Sequence, residues 1–208
     1  RLALVDPLTD LLNRRGLYER AEDLLALAER KSLPVALLLI DIDHFKAIND
    51  RHGHAAGDRV LAELARRVAG SVRAQDLVAR WGGEEFLVLA PHLDGGAARA
   101  LAQRLLQALS GEPVLLEQGE SLRVSASIGH AVFPLAPHHV QLSPDQAINL
   151  ADMALYLAKS QGRNRAVGVS PQAGAPAPGD IWKNSLLENL EKAAVSVEVI
   201  EGPTVQES

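Results

Sequence analysis

The spacing of apolar residues changes several times along the first third of the chain. Between Asn13 and Pro34 the apolar residues lie three or four positions apart, which predicts an amphipathic helix that Asn13 caps and Pro34 ends. The run Val35–Ile40 is apolar on both faces, which is typical of a central strand in a sheet covered on both sides. A loop is expected next, and then a second helix that begins near Gly57 and Asp58.

The middle of the chain predicts two β-hairpins and two more helices. Apolar triplets on either side of two glycines in 77–89 indicate the first hairpin, and 113–133 forms the second around Gly119–Glu120, with a half-buried alternating strand. One helix is expected over Ala97–Leu109. The other begins with the capping box Ser143–Gln146 and ends at Gly162. This mixture predicts an α+β domain with helices packed on a mixed sheet.

Composition divides the chain into a domain, a linker and a tail. Residues 1–169 contain the alternating elements, and residues 170–179 are rich in Pro, Ala and Gly, which is typical of a linker. In the tail, 180–208, Asp180 can cap a short amphipathic helix whose apolar residues are Ile181, Trp182, Leu186, Leu187 and Leu190. The rest of the tail shows no pattern that predicts an element.

Charge and cysteine content restrict the class of protein. The 208 residues are 47% hydrophobic, which is enough for a packed core, and the net charge of -5 argues against a nucleic-acid surface. The absence of cysteine excludes disulfides and thiolate metal sites and fits a cytoplasmic protein. No apolar run reaches the ~20 residues of a membrane helix, so no membrane contact is expected. Because the chain starts at Arg1, we expect a fragment of a longer protein.

Carboxylates occur at two predicted turns. The first hairpin turn, Gly82–Glu85, holds two adjacent acids beside two glycines, and the central strand continues into Asp41 and Asp43, which share one face. If the strand lies beside the hairpin, these groups converge, and oxygen ligands of this kind favour Mg²⁺ or Mn²⁺. The alternative is a solvated acidic turn and two ordinary loop aspartates.

Histidines do not indicate a second metal site. His44, the pair His52 and His54, and the pair His138 and His139 are the candidates. Without cysteine, and without further histidines at a matching spacing, they do not form a zinc motif.

Six motifs occur in a fixed order. They are Asp6–Arg15, Asp41–Asp50, Gly53–Asp58, Gly82–Phe86, Ser127–Gly129 and Ala151–Asn164. In order and spacing they resemble the GGDEF family of diguanylate cyclase catalytic domains, in the Gly-Gly-Glu-Glu-Phe form, over about residues 4 to 168. The resemblance implies a palm-like nucleotidyl-cyclase fold. It also implies a homodimer that joins two GTP molecules, one bound per subunit, into cyclic di-GMP and releases two pyrophosphates.

The resemblance also implies roles around the carboxylates. Asp41, the backbone carbonyl of Ile42 and Glu84 would hold two Mg²⁺ ions. Glu84 or Glu85 would help to deprotonate the attacking 3′-hydroxyl, and the sequence leaves open which of them does so. Lys46 would assist the reaction by neutralising phosphate charge.

Further residues would bind the nucleotide. Lys159 and Arg163 can neutralise the triphosphate, although cations are common at helix C-termini in any case. Backbone groups in the loop that starts at Phe45, and at Gly83, would also contact it. Asn49 and Asp58 would bind guanine, because a carboxylate accepts from both N1–H and the 2-amino group. The alternative for Asp58 is a helix N-cap near Gly57.

A regulatory site is implied five residues before the glycines of the hairpin. Arg73 and Asp76 match the family's Arg-x-x-Asp product-inhibition motif, and Arg104 would supply a secondary contact. The alternative is an exposed ion pair of little energetic value.

Two other functions remain open from the sequence. One is a non-catalytic receptor that binds cyclic di-GMP or GTP, although relatives of that kind usually lose the hairpin acids. The other is a cyclase with a mixed GTP and ATP product, against which Asp58 argues.

Overall fold

The computed structural model describes residues 3–133, 144–171 and 195–204. The helices are α1 (Arg14–Arg30), α2 (Phe45–His52), α3 (His54–Ser71), α4 (Gly95–Ser110) and α5 (Pro144–Ser160). The strands are β1 (Leu12–Asn13), β2 (Val35–Ile42), β3 (Leu77–Arg80), β4 (Glu85–Pro91), β5 (Val114–Leu115), β6 (Ser121–Leu122), β7 (Ala126–Phe133), β8 (Arg165–Pro171) and β9 (Val195–Glu201). No helix in these ranges is long and apolar enough to cross a bilayer.

A seven-stranded mixed sheet, in the order β1-β3-β4-β2-β7-β8-β9, forms the centre of the domain. Strand β2 lies in the middle and pairs antiparallel with β4 and β7, whereas β1 with β3 and β7 with β8 are parallel. Leu38 and Ile40 pack under α3 and α4, and Leu37 and Leu39 pack under α1 and α5. The predicted α+β architecture and the doubly buried central strand are therefore confirmed.

One capping signal and two of the predicted elements are confirmed. The Asn13 side chain accepts a hydrogen bond from the Gly16 N–H at 2.9 Å and caps α1 as predicted. The hairpin around the two glycines is present as β3 and β4, and helix α4 covers the predicted Ala97–Leu109. Helix α5 begins at Pro144 as expected, while the predicted cap Ser143 lies outside the described residues, as do His138 and His139.

Four local predictions were wrong. The loop after β2 contains the helix α2, and α3 begins at His54, after Gly53 with φ +85°, rather than near Gly57. The second hairpin consists only of β5 and β6, and β7 is a separate strand of the main sheet. Strand β7 is also buried on both faces rather than half-buried, because α4 and α5 pack on opposite sides of it.

Strands β8 and β9 had no counterpart in the sequence predictions. Strand β9, in the tail, pairs antiparallel with β8 from Arg165↔Glu201 to Pro171↔Val195. Strand β8 extends to Pro171, so the first two residues of the expected 170–179 linker belong to the sheet. The rest of that linker, and the amphipathic helix expected at Ile181–Leu190, lie outside the described residues.

Candidate active site

Carboxylates converge where β2 ends beside the β3–β4 turn. The strand register places Asp41 opposite Glu85, and the Ile42 N–H donates to the backbone carbonyl of Glu84 at 3.2 Å. Asp41 is 6% exposed, so its carboxylate lies at the end of a buried strand. The strand register therefore brings Asp41 close to the hairpin acids. The sequence predicted this proximity only if the strand and the hairpin were neighbours.

Gly82 makes room for one of the acids in the turn. A Cβ atom at Gly82 would lie 2.5 Å from Oε2 of Glu85, whereas a Cβ atom at Gly83 would meet open space. The backbone N–H of Trp81 donates to the Glu85 carbonyl at 2.8 Å and closes the turn. A side chain at the first glycine would therefore displace the Glu85 carboxylate, and the exposed second glycine leaves the turn open to a ligand.

An ion pair that the sequence did not indicate anchors the same turn. Arg80 donates to the Gly83 carbonyl at 2.8 Å and pairs with Asp6 at 3.1 Å. Asp6 also accepts from the N–H and hydroxyl of Thr9 at 2.9 and 2.7 Å. Burial alone would raise the pKa of Asp6, but the Thr9 hydrogen bonds and the Arg80 charge outweigh it and lower the pKa. The first motif therefore acts as a structural support for the turn.

The two aspartates of the β2 end have different environments. Asp43 accepts from the hydroxyls of Ser125 and Ser127, both at 2.7 Å, and from the Asn164 N–H at 3.0 Å. A carboxylate with three hydrogen bonds of this kind is a structural group. For Asp43 this agrees with the alternative prediction of an ordinary loop aspartate. Asp41 instead pairs with the Lys159 ammonium at 2.9 Å.

The electrostatics of the three acids favour a bound cation. Burial raises the pKa of Asp41, Glu84 and Glu85, and the charge of Asp41 raises the pKa of both glutamates further, while Lys159 compensates only in part. A divalent cation would relieve this repulsion, and oxygen donors suit Mg²⁺. Within the described ranges no group of three or more His, Cys, Asp or Glu side chains is arranged to hold a metal ion.

The residues expected to bind guanine lie where α2 and α3 meet. A Cβ atom at Gly57 would collide with Oδ1 of Asn49 and would lie 3.2 Å from the ring of Phe45, which is buried. The N-cap position of α3 is Gly53, so the capping alternative for Asp58 does not hold. Asp58 is exposed on the second turn of α3, where its carboxylate is available to a ligand.

Three cations were expected to contact phosphate. Lys159 lies at the end of α5 against Asp41, with its side chain 34% exposed. Arg163 follows in a turn with φ +63°, and its charge acts to lower the pKa of Asp41 against the larger effect of burial. Lys46 is exposed in the first turn of α2. The first two therefore lie in the electrostatic field of the carboxylates.

The expected regulatory residues lie apart from the carboxylates, at the C-terminal end of α3. Arg73 pairs with Asp76 at 2.7 Å and donates to the Pro91 carbonyl at 2.7 Å, and the Asp76 carboxylate accepts from the Arg73 N–H at 2.8 Å. Arg104 on α4 donates to the Ser71 carbonyl at 2.9 Å. The alternative of an exposed pair is only half right, because the side chain of Asp76 is 1% exposed and that of Arg73 36%.

Comparisons with known proteins agree with this arrangement. Residues 3–165 match the family model described as "Diguanylate cyclase, GGDEF domain". The chain is 43% identical over 168 residues to the response regulator PleD of Caulobacter vibrioides, covering 80% of this chain and 36% of that protein. It is 42% identical over 163 residues to the diguanylate cyclase DgcP of Pseudomonas aeruginosa, covering 78% of this chain and 23% of that protein. The chain thus spans about a third or less of these curated relatives.

Solved structures show the same fold. The GGDEF domain of DgcB from Caulobacter crescentus, determined in complex with c-di-GMP, superposes with a TM-score of 0.73 at 30% identity, covering 81% of this chain and 96% of that one. The active GGEEF domain of a diguanylate cyclase from Vibrio cholerae superposes with a TM-score of 0.69 at 33% identity, covering 78% of this chain and 99% of that one. The chain therefore belongs to the GGDEF family of diguanylate cyclase domains.

Proposed function

We propose that this domain condenses two molecules of GTP into cyclic di-GMP and two pyrophosphates. The observation that supports this most strongly is the convergence of Asp41, Glu84 and Glu85, whose raised pKa values and pairing with Lys159 suit a site for a cation and a triphosphate. The family membership of residues 3–165 points to the same reaction.

The hairpin acids and Asp41 would perform the metal and proton chemistry. Asp41, the carbonyl of Ile42 and Glu84 would hold two Mg²⁺ ions, which when bound neutralise phosphate charge and make the 3′-hydroxyl more acidic. Glu84 or Glu85 would accept the proton of that hydroxyl. A carboxylate whose pKa is raised above its ordinary value is the better proton acceptor near neutral pH.

The remaining predicted residues would bind and orient GTP. Lys46, Lys159 and Arg163 would pair with phosphate oxygens, with backbone groups near Phe45 and at Gly83 beside them. The Asp58 carboxylate would accept from guanine N1–H and the 2-amino group, and the Asn49 amide would hydrogen-bond to the same base. Adenine has no such pair of donors, so a mixed GTP and ATP product is disfavoured.

The reaction requires two copies of the domain. Each site would bind one GTP, and the 3′-hydroxyl of each nucleotide must reach the α-phosphate of the other. A homodimer with two facing half-sites meets this requirement. The cytoplasmic location expected from the composition stays a prediction.

Incubation with GTP and Mg²⁺ tests the proposal directly. We expect the unaltered protein to form cyclic di-GMP and pyrophosphate from GTP, identified by chromatography. With ATP alone we expect no cyclic product. Because two half-sites must meet, the specific activity should rise with protein concentration. Binding of cyclic di-GMP with no product at any protein concentration would instead favour the receptor function.

Product inhibition through Arg73 is a further expected result. We expect Arg73→Ala to raise the inhibition constant of cyclic di-GMP by about tenfold or more, because the guanidinium would no longer be available for a bidentate contact. Arg66→Ala is the matched control, since Arg66 lies on α3, the helix that ends two residues before Arg73, and its exposed side chain pairs with Glu63. Equal inhibition constants for Arg73→Ala and the unaltered protein would contradict the assignment.

A further inference from the structure

The C-terminal strand β9 reaches the candidate active site through one residue, Asn164. The Asn164 side-chain amide donates to the Pro203 carbonyl at 2.9 Å, and the Gly202 N–H donates to the Asn164 carbonyl at 2.8 Å. On its other side the Asn164 N–H donates to Asp43 at 3.0 Å. Asn164 therefore connects the end of β9 to the end of β2, where the active-site carboxylates lie.

The turn that contains Asn164 has an uncommon backbone. Gly162, Arg163 and Asn164 have φ of +118°, +63° and +45° in succession. Asparagine tolerates the left-handed region, whereas arginine rarely adopts it and needs surrounding contacts to stay there. One such contact is the Arg163 N–H, which donates to the Ala158 carbonyl at 3.0 Å. A second is the Arg163 carbonyl, which accepts from the Arg165 side chain at 2.9 Å. The bonds of Asn164 to Asp43 and to the segment after β9 hold the residue that follows.

Gly202 fits against Asn164 so closely that a side chain has no room. A Cβ atom at Gly202 would lie 2.7 Å from the Asn164 backbone oxygen and would also collide with its Oδ1. Oδ1 is buried and accepts no hydrogen bond from the residues that the structure describes. The contact is therefore specific to this glycine and this asparagine.

Backbone pairing accounts for most of the attachment of β9. Its Val197 and Val199 side chains are 40% and 39% exposed, whereas Ile200 is 7% exposed and joins the core. Glu198 pairs with Arg99 of α4 at 3.1 Å, with both side chains about half exposed. The strand is thus held by its ladder with β8, by Ile200 and by the contacts at Gly202 and Pro203.

We propose that the end of β9 is a positioning element for the nucleotide site, which holds Asn164 and through it orients Arg163 toward the triphosphate. The inference rests on the proposed function, because that function assigns Arg163 to phosphate. Residues 3–165 match the family model, so β9 lies beyond that match. Gly202 and Asn164 act through Arg163 and touch no substrate themselves. The tail would thereby tune the affinity of the domain for a nucleoside triphosphate.

Binding of a GTP analogue tests this inference without turnover. The probe is GTP with a methylene group in place of the α–β bridging oxygen, titrated with Mg²⁺ by calorimetry. We expect Gly202→Ala to weaken its binding by about tenfold, because a shift of the order of 1 Å in a phosphate-binding side chain is costly. Gly95→Ala is the matched control, because a Cβ atom there meets open space on an exposed helix start.

A double-mutant cycle separates positioning from general destabilisation. In an Arg163→Ala background, Gly202→Ala is expected to cause no further loss of affinity, because its effect passes through Arg163. An equal loss in both backgrounds would overturn the inference, and so would unchanged affinity in Gly202→Ala. If Gly202→Ala does not fold, Asn164→Gly keeps the left-handed backbone, removes the amide bond to Pro203 and is expected to weaken binding in the same Arg163-dependent way.

The inference and the proposed function fail in different ways. A protein that makes cyclic di-GMP but binds the analogue equally well with and without the Gly202 change would remove the inference alone. A protein that makes no cyclic di-GMP, yet loses analogue affinity in Gly202→Ala only when Arg163 is present, would remove the cyclase proposal and keep the inference. A protein that binds no analogue would overturn both.

Discussion

Replacement of both hairpin acids, Glu84→Gln with Glu85→Gln, is expected to reduce cyclic di-GMP formation by about 1000-fold or more and to stabilise the metal-free protein. Glutamine has nearly the shape of glutamate, so the turn supported by Arg80 should persist. Its amide cannot accept the hydroxyl proton and is a poor ligand for Mg²⁺. A loss of that size is expected where a proton acceptor and a metal ligand disappear together.

The stabilisation follows from the direction of the pKa shifts. Burial and the charge of Asp41 raise the pKa of Glu84 and Glu85 above the ordinary value of 4.5. A raised pKa favours the protonated acid in the folded state, so its stabilising contribution is present below pH 4.5 and is lost as the pH rises through the folded-state pKa. At neutral pH without metal, the charged glutamates therefore destabilise the fold, and the amides remove that cost.

Thermal unfolding between pH 4 and 8 with a chelator present measures the effect. We expect the variant to melt a few degrees higher at pH 7, since about 1 kcal/mol shifts the Tm of a domain of this size by roughly 2–4 °C. The difference should shrink toward pH 4. The control is Glu63→Gln, for which the expected change in Tm is opposite. Hydrogen bonds from Arg66 lower the pKa of Glu63 to about 2, so the charged carboxylate stabilises the fold and its replacement should lower the Tm at pH 7.

A lower Tm for the doubly substituted protein at pH 7, without metal, would contradict this account. It would mean that the hairpin acids make favourable contacts that outweigh their burial and mutual repulsion. Added Mg²⁺ should raise the Tm of the unaltered protein and leave that of the variant nearly unchanged, because ligand binding stabilises only a folded state that retains the site.

Gly57→Ala is expected to raise the KM for GTP by about tenfold or more. The new methyl group would collide with Oδ1 of Asn49 and press on the ring of Phe45. Asn49 would have to leave the position from which we propose that it binds guanine. A binding site that loses an aligned polar group loses discrimination between bases as well as affinity. Steady-state kinetics with GTP, and competition by ATP, measure both losses.

Gly70→Ala is the matched control for this substitution. Both glycines lie in α3, so each change adds the same methyl group and the same gain in helix propensity. A Cβ atom at Gly70 meets nothing within 4 Å, so this variant should retain the unaltered KM. Similar KM values for the two variants and the unaltered protein would show that Asn49 does not bind guanine from its present position.

Sequence predictions succeeded where the signal was local. The Asn13 cap, the apolar run Val35–Ile40 and the two glycines of the hairpin each lie within a few residues of the structure they specify. Helix α2 escaped detection because it is only eight residues long, with Phe45 its only buried residue. In β7 the alternation of larger and smaller residues suggested a half-buried strand. The strand is buried on both faces because its small residues, such as Gly129, also pack against a helix.

Contacts between distant parts of the chain were outside the reach of the sequence. Asp43 meets Asn164 across 121 positions, and Arg80 meets Asp6 across 74. The sequence indicated an Arg73–Asp76 pair but not that Asp76 is buried, since burial depends on neighbouring strands. No element was predicted for β9, although Val195, Val197 and Val199 alternate with Ser196 and Glu198 as in a strand, and only its pairing with β8 lay outside the reach of the sequence.

The sequence by itself determined the helix that Asn13 caps, the central strand, and the presence of acids at the end of that strand and in the hairpin turn. Only the tertiary structure decided which acid is satisfied by hydrogen bonds, which is left with Lys159, and how the tail reaches Asn164. The physical reason is that helix periodicity and strand alternation follow from neighbouring residues, whereas strand register and charge pairing follow from the packing of the whole chain.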